Sequence, residues 1–357
     1  MSKILYWIDD THDVGKPPSP AERKRLEKGL GVSLGIRTVK DRKQFDELLA
    51  QLDSNKGKNV SGVIMDYQLT GVGEKGLWAF GNTWAAEIRA VAASIPVIGI
   101  SHEPEKQIPR LRLESFVAFF PRDVLMGLHP PFNDLSALII GYALAYGAFE
   151  KQNEGKPSGI ELMIDLIKPP KPVSDLMAAA VPTKLTGGWD KETPHVASRW
   201  IWHELQGRPG FLFDELALAT YLGLNFHAIR LIYRRFQGAR YAGAFASDQR
   251  PRWWVSSVRE IAEKLIGQKI VGPISNARDR LLKALRVAND DRSKLLARAH
   301  PNQSWEFIPD CVAYSDDEVE EKDRIQALFK DTRVDPRDAN PPFGFEPRRI
   351  YEPAPRS

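Results

Sequence analysis

The sequence predicts an α/β protein: a five-stranded parallel sheet, a second, mostly helical domain, and an extended tail. Two observations carry this prediction. Over roughly the first 150 residues, short apolar runs alternate with helix-like segments, and the runs lack the polar alternation of a half-exposed strand. The chain has 357 residues, which is too long for one ordinary core and favours two domains with extensions.

Each element of the first domain has a local cause. The helix that starts after Asp41 has an N-capping aspartate and an apolar stripe formed by Phe45, Leu48, Leu49 and Leu52. The predicted helices are 21–30, 41–52, 82–93 and 135–149. The predicted strands are 3–8, 33–39, 60–65, 96–100 and 116–120. Buried parallel strands need helices on both faces, so we expect a three-layer domain over residues 1–150.

Polar side chains follow three of these strands. Asp9 and Asp10 end the first strand, Asp66 ends the third and Ser101 ends the fourth. Open parallel sheets bind ligands at the carboxyl ends of their strands, so these groups are expected to meet there. Clustered carboxylates repel one another unless a proton or a hard cation such as Mg²⁺ lies between them. An acidic, metal-assisted pocket is the expectation.

This order and chemistry resemble the receiver domain of two-component response regulators, which has a flavodoxin-like fold. The resemblance covers residues 1–150 and includes the string Met65-Asp-Tyr-Gln-Leu-Thr-Gly71. It implies that Asp9, Asp10 and Asp66 hold Mg²⁺, that Asp66 accepts a phosphoryl group and that Ser101 contacts it. A carboxylate nucleophile needs a cation to screen it from the incoming phosphoryl oxygens.

One position departs from the receiver pattern. Receivers carry a lysine after the fifth strand, whereas this chain has Arg122 in the stretch Phe119-Phe-Pro-Arg-Asp123. Arginine and lysine are not equivalent in a tight site. A pseudo-receiver, which keeps the fold and the acids without phosphotransfer, is therefore an open alternative.

The bulk composition limits the function classes. Cys311 is the only cysteine, which excludes an internal disulfide and a cysteine-based zinc cluster. The sequence shows neither a membrane-spanning run nor an amino-terminal signal, and we predict a cytoplasmic protein without a membrane partner. With neither a catalytic triad order nor a phosphate-binding loop in evidence, a non-enzymatic protein is expected.

The charge is unevenly distributed along the rest of the chain. Residues 151–193 mix Pro, Gly and Lys with short apolar segments and are predicted to be a linker. Residues 196–300 hold 18 Lys/Arg against 9 Asp/Glu, a net charge of +9 for a basic domain predicted over 194–300. The Pro-rich tail, 301–357, holds 8 against 13, a net of −5. Basic domains with acidic tails are compatible with nucleic-acid binding.

Within the basic domain, the stretch 213–236 resembles a helix-turn-helix. Ala219 precedes Gly223 by four residues, and Ile229 and Ile232 follow it. Segments 240–245 and 252–255 are predicted as the strands of a wing, with Tyr241, Trp253 and Trp254 among the arginines. The predicted nucleic-acid contacts are Arg230, Arg234, Arg235, Arg240 and Arg252. Such a unit also serves as a protein-binding module, and the two tryptophans could instead belong to its core.

Together these features predict a response-regulator-like signalling protein with two kinds of partner. A histidine kinase or another signalling protein would act on Asp66, and the winged-helix-like domain would deliver the output to double-stranded DNA. The alternative, from a different class, is a non-enzymatic pseudo-receiver adaptor that binds proteins in a multi-component system such as phage defence. A homodimer is left open.

Overall fold

The computed structural model describes residues 3–9, 18–54, 59–69, 80–102, 108–127, 131–153, 157–207, 210–224, 226–271, 277–296, 312–313 and 339–340. The chain divides into two compact units, each built from separate segments. The first unit comprises 1–167, 178–202 and 243–249, and the second comprises 168–177, 203–242 and 250–357. This division differs from boundaries at 150, 193 and 300, because most of the predicted linker folds as helices of the first unit.

The first unit contains the predicted five-stranded parallel sheet. The strands are β1 (Ile4–Asp9), β2 (Ser33–Thr38), β3 (Val60–Asp66), β4 (Val97–Ser101) and β5 (Ala118–Pro121). All neighbouring strands pair in parallel, in the order β2-β1-β3-β4-β5. This is the strand order of a flavodoxin-like core, whose ligand site lies at the carboxyl ends of β1 and β3.

Helices cover both faces of the sheet, as the apolar strands require. Ser19 caps the first helix in a capping box with Glu22, and Asp41 caps the second, as predicted. One face packs Phe45 and Trp84 against strand residues such as Met65. The helices up to residue 153 are α1 (Pro20–Leu30), α2 (Arg42–Asp53), α3 (Gly81–Val91), α4 (Arg110–Leu113), α5 (Arg122–Met126) and α6 (Phe132–Asn153).

Helix α6 is the most apolar long segment among the described residues. By length and composition alone, Phe132–Gln152 is long enough and apolar enough to cross a bilayer, and half of its 18-residue window is buried. A core helix of a water-soluble domain passes the same test. Gly29 of α1 lies close to the ring of Phe132. At Gly62 of β3 a side chain would meet Ile139 of α6 at 3.6 Å, so the helix covers one face of the sheet.

The chain from 157 to 202 adds four further helices, of which α8 passes from one unit to the other. They are α7 (Gly159–Ile167), α8 (Lys171–Ala180), α9 (Thr183–Thr186) and α10 (Thr193–Arg199), and α10 continues as a π-helical segment, Trp200–Leu205. Partly buried polar contacts hold α10 against the chain between α4 and β5. Arg199 donates to the carbonyl oxygens of Leu113 and Phe116, and His195 Nε2 lies 2.8 Å from the carbonyl oxygen of Glu114.

The segment 243–249 belongs to the first unit although the chain on either side of it belongs to the second. Phe245 is buried in the left-handed region, with φ at 67°, and its ring packs against Gly141 of α6. Ser247 donates a hydrogen bond to Asp134, and the Gln249 side chain accepts from the Asn133 amide at the start of α6. The end of the first predicted wing strand, 243–245, and most of the connection predicted over 246–251 are thus part of the sheet unit.

The second unit is mainly helical around its own apolar core. Its helices are α11 (Glu215–Leu222), the 3-10 segments Phe226–Leu231 and Tyr233–Ala239, α12 (Val255–Ile266), α13 (Arg278–Ala284) and α14 (Asn289–Leu296). Strands β6 (Leu212–Phe213) and β7 (Trp253–Trp254) pair antiparallel. In the tail, β8 (Val312–Ala313) pairs antiparallel with β9 (Ala339–Asn340).

Gly223 makes the predicted turn, but the segment after it is not a regular α-helix. The glycine adopts a φ of 70°, and the amide of Leu224 donates to the carbonyl of Ala219. The following segment consists of 3-10 turns with a kink at Phe236. β-branched and aromatic residues are weak helix formers, and the core apolar residues Ile229, Ile232 and Phe236 anchor the segment at spacings of three and four.

Candidate functional site

The carboxyl ends of the strands bring together the charged groups that the sequence placed there. Asp9 is the last residue of β1 and is almost fully buried. The indole Nε1 of Trp7 donates to its Oδ2 over 3.2 Å. Trp7 and Asp9 lie on the same face of the strand because side chains alternate with a period of two. This period was the sequence signal that would have identified Trp7, which the site prediction missed.

Asp66 ends β3 beside Asp9 and is also buried. Its Oδ1 accepts a hydrogen bond from the backbone amide of Gln68 over 3.1 Å. Its own backbone is tightly packed, because a Cβ at position 81 would overlap the Asp66 carbonyl oxygen. Glycine is therefore required at the first residue of α3, and the turn that carries Asp66 is closely held.

Arg122 is the group that joins the two acids. It follows β5 directly and begins α5, and its side chain is 4% exposed. Nη2 donates to Asp9 Oδ2 and Nη1 donates to Asp66 Oδ2, each over 2.9 Å. The guanidinium carbon lies 5.6 Å from the centre of the Trp7 ring. One fork-shaped cation thus bridges two carboxylates, a geometry that a lysine ammonium cannot reproduce.

Ser101 and Asp10 are the other predicted members of the pocket, and the structure describes only Ser101. Ser101 ends β4 at the same edge of the sheet and is buried. In the β3–β4 register, Asp66 is paired with Ile100, the residue before Ser101. Asp10 lies outside the described residues. The structure therefore collects Asp9, Asp66, Ser101 and Arg122 at one edge, in agreement with the expected position of each strand end.

The described part of the pocket fits a guanidinium better than a magnesium ion. The Oδ2 atoms of Asp9 and Asp66, which a bridging cation would use, both accept hydrogen bonds from Arg122. A divalent cation on those oxygens would lie beside a buried positive charge, which is unfavourable in a low-dielectric site. Across the described ranges, no group of three His, Cys, Asp or Glu side chains is arranged to hold a metal. The predicted role of Asp10 as a ligand is untested.

The five arginines predicted to contact nucleic acid fall into two groups. Arg234 and Arg235 are exposed, and Arg230 is 74% exposed while pairing with Glu215 over 3.0 Å. The hydrogen bonds that Arg230 donates to the Glu215 carboxylate raise the pKa of Arg230, which keeps the guanidinium charged. Sequence reasoning missed Glu215, which lies fifteen residues before its partner and follows no local spacing rule.

Arg240 and Arg252 are only half-exposed. Arg252 donates from Nε to the carbonyl oxygen of Gln206 over 2.8 Å and from Nη1 to that of Pro251. The guanidinium of Arg252 thus serves the fold of the second unit. Its assignment as a nucleic-acid contact is weaker than that of the three exposed arginines.

The aromatic residues among these arginines are core residues. Tyr241, Trp253 and Trp254 are all buried, in agreement with the alternative that the two tryptophans belong to the core, and they do not extend the arginine surface. The predicted strand 240–245 is reduced to a single bridge between Arg240 and Trp253. The predicted strand at Trp253–Trp254 forms, but its paired strand is Leu212–Phe213. Burial of two indoles against an apolar core outweighs their use at the surface.

Comparison with known proteins does not assign the chain to a family. No protein-family model matches the chain, and no curated protein matches it. Among solved structures, a lysine decarboxylase of Francisella novicida aligns at 12% identity with a TM-score of 0.26. The alignment covers 63% of this chain and 30% of that enzyme. A likeness at this level carries no argument about fold or activity.

Proposed function

We propose that the chain is a receiver-like signalling adaptor whose sheet unit binds protein partners without phosphoryl transfer. The observation that supports this proposal is the bridge from Arg122 to both Asp9 and Asp66. The five-stranded order and the acids at the strand ends support the resemblance to a receiver. The proposal therefore adopts the pseudo-receiver alternative over a phosphoacceptor role for Asp66.

The chemical reason lies in the lone pairs of Asp66. A carboxylate nucleophile must direct a free oxygen at phosphorus, and a metal must screen the charge that builds up. Here Oδ2 accepts from Arg122 and Oδ1 accepts from the Gln68 amide, and the side chain is buried. Arg122 supplies the positive charge that Mg²⁺ supplies in receivers, but it stays attached to the protein and occupies the attacking oxygen. The pocket then acts as a structural clamp between β1, β3 and α5.

A phosphorylation assay tests this proposal directly. The full chain and its Asp66→Asn variant are incubated with acetyl phosphate and Mg²⁺ and run on a gel that retards phosphoaspartate proteins. We expect the same single band for both, with a known receiver shifted in parallel. A retarded band in the wild-type chain that is lost in Asp66→Asn would restore the phosphoacceptor role.

A second candidate function is nucleic-acid binding by the second unit. The observation that favours it is the exposure of Arg230, Arg234 and Arg235, which lie on two consecutive 3-10 segments, Phe226–Leu231 and Tyr233–Ala239. The pairing of β7 with β6, together with the Arg240–Trp253 bridge, supports the comparison with a winged helix. Exposed arginines contact phosphates regardless of base sequence, and we expect duplex binding with a steep salt dependence.

A gel shift on random-sequence duplex tests this second function. The double variant Arg234→Gln/Arg235→Gln is compared with Lys24→Gln/Lys28→Gln, which removes the same charge from exposed positions of α1. We expect the arginine variant to reduce the slope of log affinity against log salt by about 2, since each phosphate contact contributes about 0.9. Equal behaviour of the two variants, or no binding by the wild-type chain, would remove this candidate.

A further inference from the structure

One exposed surface of the second unit combines charge with an apolar centre. Arg230, Leu231, Arg234 and Arg235, called here the basic face, are all exposed, and the Leu231 residue is 49% exposed. An exposed leucine among arginines is poorly matched to phosphates alone, because phosphates offer it no apolar contact. An acidic peptide with an apolar residue near its middle complements both features.

The chain itself contains such a peptide. Residues 316–323 read Asp-Asp-Glu-Val-Glu-Glu-Lys-Asp, with six acids and one lysine, so the net charge of this segment is −5. Val319 lies near its middle, with acids on both sides. The basic face carries three arginines within six residues. The interval from Arg230 to Arg259 contains seven arginines and one acidic residue, Asp248. The acidic segment and the basic face therefore carry opposite charges, and each has an apolar residue near its middle.

The tail starts close to the face that it matches. Helix α14 packs against the 3-10 segment Phe226–Leu231, and Leu295 is buried in the same core as Ile229. Nineteen residues, 297–315, separate Leu296 from Asp316. Nineteen residues span at most about 65 Å when fully extended, which sets the upper limit of the distance that the acidic segment can reach. Because the two segments share one chain, docking between them is an intramolecular event and does not depend on the protein concentration.

We propose that residues 316–323 dock on the basic face of the same chain and compete there with other anionic partners. The docked state pairs Arg234 and Arg235 with carboxylates, places further negative charge beside Arg230, which already pairs with Glu215, and covers Leu231 with Val319. Competition with nucleic acid rests on the second candidate function above, whereas the docking rests on charge and exposure alone. The contact is formed at the surface, so dissolved ions screen it. We expect it to weaken as salt rises, because the Debye length is about 10 Å at 0.1 M and shortens at higher ionic strength.

Cys311 makes a direct test of docking possible in the full chain. It is the only cysteine and lies five residues before Asp316, so a maleimide–benzophenone probe labels one position beside the acidic segment. After irradiation and digestion, we expect cross-links concentrated on the peptides between Arg230 and Arg240. The face variant Arg230→Gln/Arg234→Gln/Arg235→Gln should reduce them at least fivefold.

A tail variant and a matched control separate specific docking from general charge. The tail variant neutralises the acidic segment by the changes Asp316→Asn, Asp317→Asn, Glu318→Gln, Glu320→Gln, Glu321→Gln and Asp323→Asn. The control makes six equivalent changes elsewhere in the tail, at Glu306, Asp310, Asp331, Asp335, Asp338 and Glu346. We expect cross-links to fall in the tail variant and to persist in the control. Equal cross-linking in both variants, or cross-links only between isotopically distinguishable chains, would overturn docking within one chain.

Measuring the affinity of these variants for random duplex distinguishes the docking proposal from the proposed nucleic-acid function. If both hold, the tail variant should bind random duplex about tenfold more tightly at low salt, and the control should change by less than about twofold. If the cross-links behave as expected while no variant binds duplex, docking stands and the nucleic-acid candidate fails. If duplex binding rises equally in both variants, docking on this face is overturned.

Discussion

The two units use charge in opposite ways. In the sheet unit, Asp9, Asp66 and Arg122 are buried and joined by hydrogen bonds of 2.9 Å. In the second unit, Arg234 and Arg235 are exposed, and neither pairs with an acid within the part of the chain that the structure describes. Burying a charge is costly unless it is paired, while an exposed charge costs little and remains available for a partner. The pocket is therefore proposed as a clamp and the basic face as a contact surface.

Removing the clamp should produce the largest effect. Arg122→Met leaves two buried carboxylates side by side, and we expect a loss of about 3–5 kcal/mol in the free energy of unfolding. Urea denaturation, followed by circular dichroism, measures this loss. Arg23→Met is the control, because Arg23 pairs with Glu27 at the surface, where an ion pair contributes about 0–1 kcal/mol. Similar losses for the two variants would mean that the buried bridge contributes little.

Crowding the clamp through its backbone should have the next largest effect. Gly81→Ala places a methyl group against the Asp66 carbonyl, and overpacking of this kind costs typically about 1–3 kcal/mol. Gly187→Ala is the matched control, since a Cβ there meets no atom within 4 Å. Both variants are measured by urea denaturation. A loss of unfolding free energy in Gly81→Ala alone would support a rigid pocket. Equal losses in the two variants would contradict it.

Asp190 is intermediate between the buried pocket and the basic face, because it is exposed but held by hydrogen bonds. Asp190 accepts from the hydroxyl and amide of Thr193 and from the Glu192 amide, and the hydroxyl hydrogen bond is the main reason that its pKa is lowered. A lowered folded-state pKa gives stability that is present above the unfolded value of about 4 and lost as pH falls through the folded value. We expect Asp190→Ala to cost about 1 kcal/mol at neutral pH, by analogy with helix caps.

The pH dependence is the measurement that checks this prediction. The difference in unfolding free energy between the wild-type chain and Asp190→Ala is followed by urea denaturation from neutral pH downwards. It should shrink in acid, once the Asp190 carboxyl is protonated in the folded state. A difference that stays constant below about pH 4 would show that the carboxylate charge is not the source of the stability.

The basic face should show the smallest effect on stability. Arg234→Gln/Arg235→Gln removes two exposed charges, and surface substitutions of this kind stay within about 0.5 kcal/mol. Thermal unfolding by calorimetry, next to the Arg122→Met variant, measures the contrast between the units. A loss above 1 kcal/mol for the double variant would assign these arginines to the fold of the second unit.

The sequence predicted the sheet unit better than the second unit, for a physical reason. Buried parallel strands are continuous apolar runs with acids at their ends, so Asp9 and Asp66 could be located without any knowledge of pairing. The bridge from Arg122 could not be predicted, because it depends on the register of a side chain 56 residues after Asp66 and 113 after Asp9. In the same way, β-propensity suggested that Trp253–Trp254 is a strand but did not identify Leu212–Phe213 as its partner.

Titration of Mg²⁺ by isothermal calorimetry tests the central claim most directly, namely that Arg122 occupies the place of a cation between Asp9 and Asp66. We predict no saturable heat for the wild-type chain at millimolar Mg²⁺, and saturable binding in Arg122→Met that is lost again in Arg122→Met/Asp66→Asn. Saturable binding by the wild-type chain that disappears in Asp66→Asn would contradict the claim.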